Sequence, residues 1–256
     1  MSLALLPQRL RRMLVAGASI ALAGACPAAE LTVSAASSLT NAFRELGPVF
    51  ERAHPGLQVL FNFGASGTLL QQAAKGAPVD VLATADPETM DSAQAQGLIK
   101  AADRRFFASN SLVVIVPKAA SRAPASVRDL TQPAYARIAI GVPGSVPVGR
   151  YTQSALQAAG VWGAIEPKMI GAQNVRQALD YVARAEVDAG FVYATDAALM
   201  PEKVTVAFTV PTTEPVRYPA AALAKSTQAE AARQFVEFLV SPPAQAVLGR
   251  HGFGQP

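Results

Sequence analysis

Residues 31–53 read LTVSAASSLTNAFRELGPVFERA, and the two halves of this stretch follow different periods. Leu31–Ala35 is a short apolar run of strand character. Leu39–Ala53 spaces its apolar residues as one face of a helix and stops at His54-Pro55-Gly56. The same rhythm continues: residues 57–63 predict a strand, 68–75 a helix, 79–83 a strand, and 87–96 a helix opened by Asp86 before Pro87. Repeated strand and helix units of this kind predict a parallel α/β sheet.

Further along, Leu112-Val113-Val114-Ile115-Val116-Pro117 is apolar throughout, the mark of a strand buried on both faces. It is expected to cross into a second unit, with strands over 137–141, 168–171 and 189–193 and helices over 151–159 and 175–184. Strands over 204–208 and 216–224 would carry the chain back, and a helix over 227–240 would close the first unit. The fold class is therefore α/β, with two lobes joined by crossing strands. Ligand sites in such sheets lie at the carboxyl ends of strands, where helix N-termini face the crevice.

With 256 residues, 51% of them hydrophobic and 16% charged, the chain has ample apolar material for one large domain or two modest ones. Its net charge of +4 misleads, because Arg9, Arg11 and Arg12 precede the first acid, Glu30; without them 19 basic residues face 18 acidic ones. No basic stripe remains for a nucleic acid. The three arginines precede the apolar run Met13–Ala25, which is too short to span a bilayer and suits a signal segment over residues 1–29, cleaved between Ala25 and Glu30. Export to the periplasm is expected, and Arg11-Arg12 hints at the twin-arginine route. Cys26, the only cysteine, falls in the cleavage region; it would be lipidated in a lipoprotein, though Ala23 stands where a bulky aliphatic residue is usual. A single cysteine forms no intramolecular disulfide.

Four strand-to-helix junctions are rich in glycine and small hydroxyl residues and poor in charge: residues 34–41, 63–68, 141–151 and 171–176. The first amides of a helix lack intrahelical partners and carry partial positive charge, so several such ends meeting at one point form an anion cage. Taken singly, each junction reads more readily as a helix cap and turn. Two fall in each lobe, at the sheet edges where a cleft must lie. No carboxylate falls inside any of them, which disfavours phosphate, because phosphate keeps a proton near neutral pH and needs an acceptor. Sulfate, unprotonated and smaller, stays open on these grounds.

Residues 35–43, 63–69, 76–81, 110–113, 146–151, 174–179 and 190–196 together resemble, in order and across essentially the whole mature chain, the periplasmic molybdate-binding proteins of ABC importers. The resemblance implies a type II periplasmic binding protein. One lobe would comprise residues 30–109 with 215–256 and the other 110–214, each a mixed, mostly parallel sheet flanked by helices, with a two-strand hinge between them. It implies that Ser38 and Ser66 donate through hydroxyl and backbone N–H, that Val148 and Val175 donate backbone N–H, and that Tyr193 donates its phenolic hydroxyl. Molybdenum would be held only as molybdate, through these residues; tungstate is the companion ligand, no cofactor is expected, and a monomer would deliver the anion to a membrane permease. The family often has Ala where this chain has Val148, and because the amide is the donor there, the extra methyls would tighten the cleft without removing a bond.

Other chemistry is weakly supported. Asp80 and Asp86 read as structural, one at a strand start and one as a helix cap. His54 and His251 stand far apart with no Cys or Glu at ligand spacing, against zinc. Arg150 and Arg176 fall just inside helix starts, where they could lend charge to the anion, although such a residue more often faces solvent or pairs with an acid. Gly64-Ala65-Ser66-Gly67 lacks the spacing of a nucleophile elbow and no P-loop occurs, so an exported hydrolase is disfavoured. Iron would need clustered Tyr, His or carboxylate ligands, and polyamines an acidic, aromatic cleft.

Overall fold

The structure, a computed structural model, describes residues 29–256; the expected signal segment and Cys26 fall almost wholly outside them. In chain order the first elements are β1 (Ala29–Ala36), α1 (Thr40–Ala53), β2 (Leu57–Gly64), α2 (Ser66–Ala74), β3 (Val81–Ala83), α3 (Pro87–Ala95) and β4 (Ile99–Asn110). The second set comprises β5 (Leu112–Pro117), β6 (Ile138–Gly141), α4 (Pro147–Ala158), α5 (Trp162–Ile165), β7 (Met169–Ala172), α6 (Val175–Ala183), β8 (Ala189–Tyr193), α7 (Ala194–Ala197) and β9 (Val204–Thr209). The chain closes with β10 (Val216–Leu223), α8 (Ala229–Leu239) and α9 (Pro242–Arg250).

These strands form two five-stranded sheets, in the orders β2-β1-β3-β10-β4 and β7-β6-β8-β5-β9. In the first, β1 pairs parallel with β2 and β3, while β10 is antiparallel to both β3 and β4. In the second, β6 pairs parallel with β7 and β8, and β5 is antiparallel to both β8 and β9. One strand per sheet therefore runs against the other four. The chain passes between the sheets twice, at Ser111 and over 210–215. The four strands flanking the passages are neighbours in pairs, Asn110 beside Val216 and Val113 beside Thr209, so two adjacent strands connect the lobes.

Burial explains the local choices. On α1, Ala42, Phe43, Leu46, Gly47 and Phe50 face inward while Asn41, Arg44 and Glu45 face water. Phe43 and Phe50 meet Phe235 of α8 edge-on at 6.1 and 5.1 Å between ring centroids, which anchors the returning C-terminal helix on the first sheet. β5 is buried from Leu112 to Val116, as its unbroken apolar sequence requires.

Several expectations shift. β5 lies inside the second sheet, and the crossing falls just before it. β4, charged and partly exposed at the sheet edge, has no alternating pattern to announce it. α2 starts at Ser66 instead of Thr68, and α4 at Pro147 instead of Tyr151, because proline is well suited to the first helical position.

Phe235→Ala is expected to cost about 3–5 kcal/mol by emptying the centre of this aromatic cluster. Urea unfolding would show it as a lowered midpoint; an unchanged midpoint would mean that α8 is not anchored through this side chain.

Candidate anion-binding site

The parallel strands β1, β2, β3, β6 and β7 each end in a helix or helical turn, and their carboxyl ends meet across the gap between the sheets. Around one small cavity stand Ser38 and Ser66 from the first lobe, Val148, Val175 and Tyr193 from the second, and Ala85 at the end of the β3 segment. All five residues implied by the family resemblance thus line one space. Every one is buried: Ser66 is fully enclosed and Ser38 is 4% exposed. Among the described residues, no charged side chain lines the cavity.

Local sequence sets which groups point inward. Ser66 and Val175 are the first residues of α2 and α6, so their amides have no intrahelical acceptor. On α6, Asn174 caps the helix by accepting the Gln177 amide at 3.0 Å and leaves the Val175 amide free. On α4, Pro147 has no N–H, so the first donor of that helix belongs to Val148. Ser38 sits in the short 3₁₀ turn Ser37–Leu39 that follows β1. The amides of Ser38, Ser66, Val148 and Val175 find no acceptor among the described residues. Gly149 makes the approach possible, since a Cβ there would stand 1.9 Å from the Gly141 carbonyl oxygen.

Three hydroxyls complete the lining. The Ser66 Oγ accepts the Ala85 amide at 3.1 Å, and Tyr193 Oη lies 3.5 Å from the Ala85 carbonyl. Ser38 Oγ is 3.1 Å from Tyr218 Oη. Burial drives the Tyr193 phenol far above its ordinary range, with the nearby Tyr218, Tyr151 and Asp86 adding to the shift, so it stays a protonated donor.

Neither Arg150 nor Arg176 lines the cavity; each instead ties one lobe to the other. Arg150 of α4 donates to Asp86 through Nε and Nη2 at 2.9 and 2.6 Å, and to Thr89 Oγ1 at 2.7 Å. Arg176 of α6 donates to Asp196 at 2.5 Å within its own lobe, then reaches across to Asn41 Oδ1 at 2.8 Å and the Ser38 carbonyl at 3.2 Å. Burial lifts the Asp196 carboxyl to about 6, against the opposing pull of Arg176. A third tie is main chain to main chain: the Gly67 amide donates to the Ser145 carbonyl at 3.0 Å, at a place where a Cβ on residue 67 would lie 2.7 Å from that oxygen. Asp86 occupies the cap position of α3 but makes no capping bond, because its carboxylate is taken by Arg150. Asp80 is structural, accepting the Thr32 amide at 2.8 Å and the Ser226 hydroxyl at 2.6 Å.

His54 stacks on Phe50 and His251 pairs with Glu45, and no cluster of metal-ligating side chains occurs among the described residues. Sequence reasoning passed over Tyr218 and Ala85. Both are joined to the site only by tertiary contact, and neither sits in a junction motif.

A family model of bacterial extracellular solute-binding proteins matches residues 31–254. The chain is 37% identical over 249 residues to the molybdate-binding protein ModA of Escherichia coli (strain K12), an alignment covering 94% of this chain and 96% of that protein. Among solved structures, a periplasmic molybdate-binding protein of Azotobacter vinelandii superposes with a TM-score of 0.75 at 23% identity, covering 88% of this chain and 99% of the other. The sulfate-binding protein SubI of Mycobacterium tuberculosis superposes with a TM-score of 0.76 at 19% identity, covering 88% and 86%. These two likenesses show the fold alone.

Asp86→Ala is expected to destabilise the closed protein by about 3 kcal/mol, because it strands a largely buried guanidinium. Asp91→Ala, which breaks a pair whose carboxylate is exposed, is expected to cost under about 1 kcal/mol. Equal losses in calorimetry would remove the inter-lobe role of Arg150.

Proposed function

The chain belongs to the bacterial extracellular solute-binding proteins, and from that premise we propose that it captures molybdate, and tungstate with it, in the periplasm for delivery to the membrane permease of an ABC importer. The observation that carries this reading is the convergence of four acceptor-less buried amides and three hydroxyls on one small cavity without a charged side chain. Such a lining is rich in donors and holds no carboxylate. It suits a compact anion that carries no proton.

The donors act as follows. Ser38 and Ser66 give hydroxyl and amide from the first lobe, Val148 and Val175 give amides from the second, and Tyr193 gives its phenol. Amides at helix starts bring the positive end of the helix dipole to the ion. No bond is made or broken and no cofactor takes part. Hydrogen phosphate needs an acceptor for its proton. Sulfate has the charge and shape of molybdate and differs in radius, so it would be discriminated by cage size, at about 1 kcal/mol for each hydrogen bond that its shorter oxygens fail to make.

Residues 30–109 with 215–256 form one lobe in this reading and 110–214 the other. The anion binds to the open form of a monomer, and hinge rotation brings Arg150, Arg176 and Gly67 onto their partners across the gap. The identity of 37% with a molybdate-binding protein across nearly the whole chain supports molybdate over sulfate as the cargo.

Isothermal titration of the mature protein against molybdate, tungstate, sulfate and phosphate tests the reading. Tight binding of the first two alone is expected, and Ser38→Ala and Ser66→Ala are each expected to weaken molybdate by about tenfold, as for one charge-assisted bond. Equal affinity for sulfate, or unchanged affinity in both variants, would contradict it.

A further inference from the structure

Resting on the reading above, the polarity of the hydrogen bond between Ser38 and Tyr218 yields a further assignment. At 3.1 Å either oxygen would serve as donor, and the next residue in the chain of contacts decides between them. Asn110 Oδ1 accepts the Ser111 amide at 2.9 Å, which fixes the orientation of the carboxamide. Its Nδ2 therefore faces outward, donating one hydrogen to Thr195 Oγ1 at 2.9 Å and the other to Tyr218 Oη at 3.2 Å. An amide nitrogen cannot accept. Tyr218 thus spends a lone pair on Asn110 and has one proton left to give, with Ser38 Oγ as its remaining partner.

Ser38 must in turn accept from Tyr218, and its own proton turns toward the cavity that it lines. We infer that Tyr218 is a positioning residue for anion capture: oriented by Asn110, it holds the Ser38 hydroxyl with its proton toward the ligand. The Ser66 hydroxyl is set the same way by the Ala85 amide. The phenol is suited to the role. Its ring is fully buried, edge-on to Phe253 at 5.5 Å and to Tyr193 at 5.9 Å. Burial also keeps it protonated far into the alkaline range. The consequence is chemical: a serine locked as a donor serves the oxygens of a fully deprotonated oxyanion and does not turn toward a proton that the ligand brings. Chains of hydrogen bonds polarise one another, so the Ser38 proton is also a stronger donor than that of an isolated serine.

A double-mutant cycle on the full mature chain tests this, with molybdate titrated by calorimetry. Tyr218→Phe keeps the ring contacts and is expected to weaken molybdate by about threefold to tenfold, the range of a neutral hydrogen bond. In the Ser38→Ala background the same substitution is expected to change affinity less than twofold, since there is no hydroxyl left to orient. A Tyr218 that merely supports packing would give independent losses that multiply, and that result overturns the inference. Asn110→Leu provides a second entry to the same cycle should Tyr218→Phe fail to fold; the same coupling to Ser38 is expected, and independence overturns it. A wild-type protein that binds none of molybdate, tungstate and sulfate overturns the functional reading and this inference together. Binding of any of the three with multiplicative losses overturns the inference alone.

Discussion

A buried amide without an acceptor costs about 1–3 kcal/mol, and in this protein four of them face one small cavity. Proteins rarely leave such groups unpaired. Ser38, Ser66, Val148 and Val175 contribute them from four separate strand-to-helix junctions, so the arrangement cannot come from one irregular loop. Everything else in the architecture positions these groups. The parallel strands bring helix starts to one edge, proline and glycine strip α4 of any group that would fill the gap, and the aromatic packing of the first sheet holds α1 and the turn before it in place.

The charged residues nearest the cavity are spent on holding the lobes together. Arg150 and Arg176 occupy the first turns of α4 and α6, where an unpaired guanidinium would dominate the field at the cavity. Each is matched by a buried carboxylate, Asp86 or Asp196. The cavity is therefore lined by dipoles and neutral hydroxyls, which point in fixed directions, and the two halves are secured around it by the Arg150–Asp86 pair and by the bonds of Arg176 to Asn41 and the Ser38 carbonyl. Gly67 adds a contact of main chain against main chain that no residue with a Cβ would allow. Neutral, oriented donors select for geometry and protonation state, where a bare positive charge would take many anions.

The α/β architecture was legible because its signals are local. The change of period within residues 31–53, the apolar run over 112–117 and the helical spacing of 227–240 each report burial directly. The junction motifs were legible for the same reason: glycine and serine at a helix start have few other uses in such number. Their convergence on one point followed from strand topology once both sheets were placed. What the sequence withheld depends on partners far apart in the chain. β4 is an edge strand whose charged face carries no alternating pattern, and the start of α4 was placed four residues late because Pro147 reads as a break as readily as a beginning. Tyr218 lies 180 residues from Ser38, in a strand whose sequence is indistinguishable from an ordinary core strand. The roles of Arg150 and Arg176 likewise turned on acids in other elements, which no spacing rule connects to them.

The account stands on where the heavy atom of the bound anion sits. Crystals of the mature protein grown with tungstate would locate it by anomalous scattering. The account requires a single dominant peak inside the cavity, with oxygens in hydrogen-bonding range of the Ser38, Ser66, Val148 and Val175 amides and of the Tyr193 hydroxyl. A dominant peak elsewhere, such as in the separate groove lined by Asp86, Arg150 and Arg217, would contradict it.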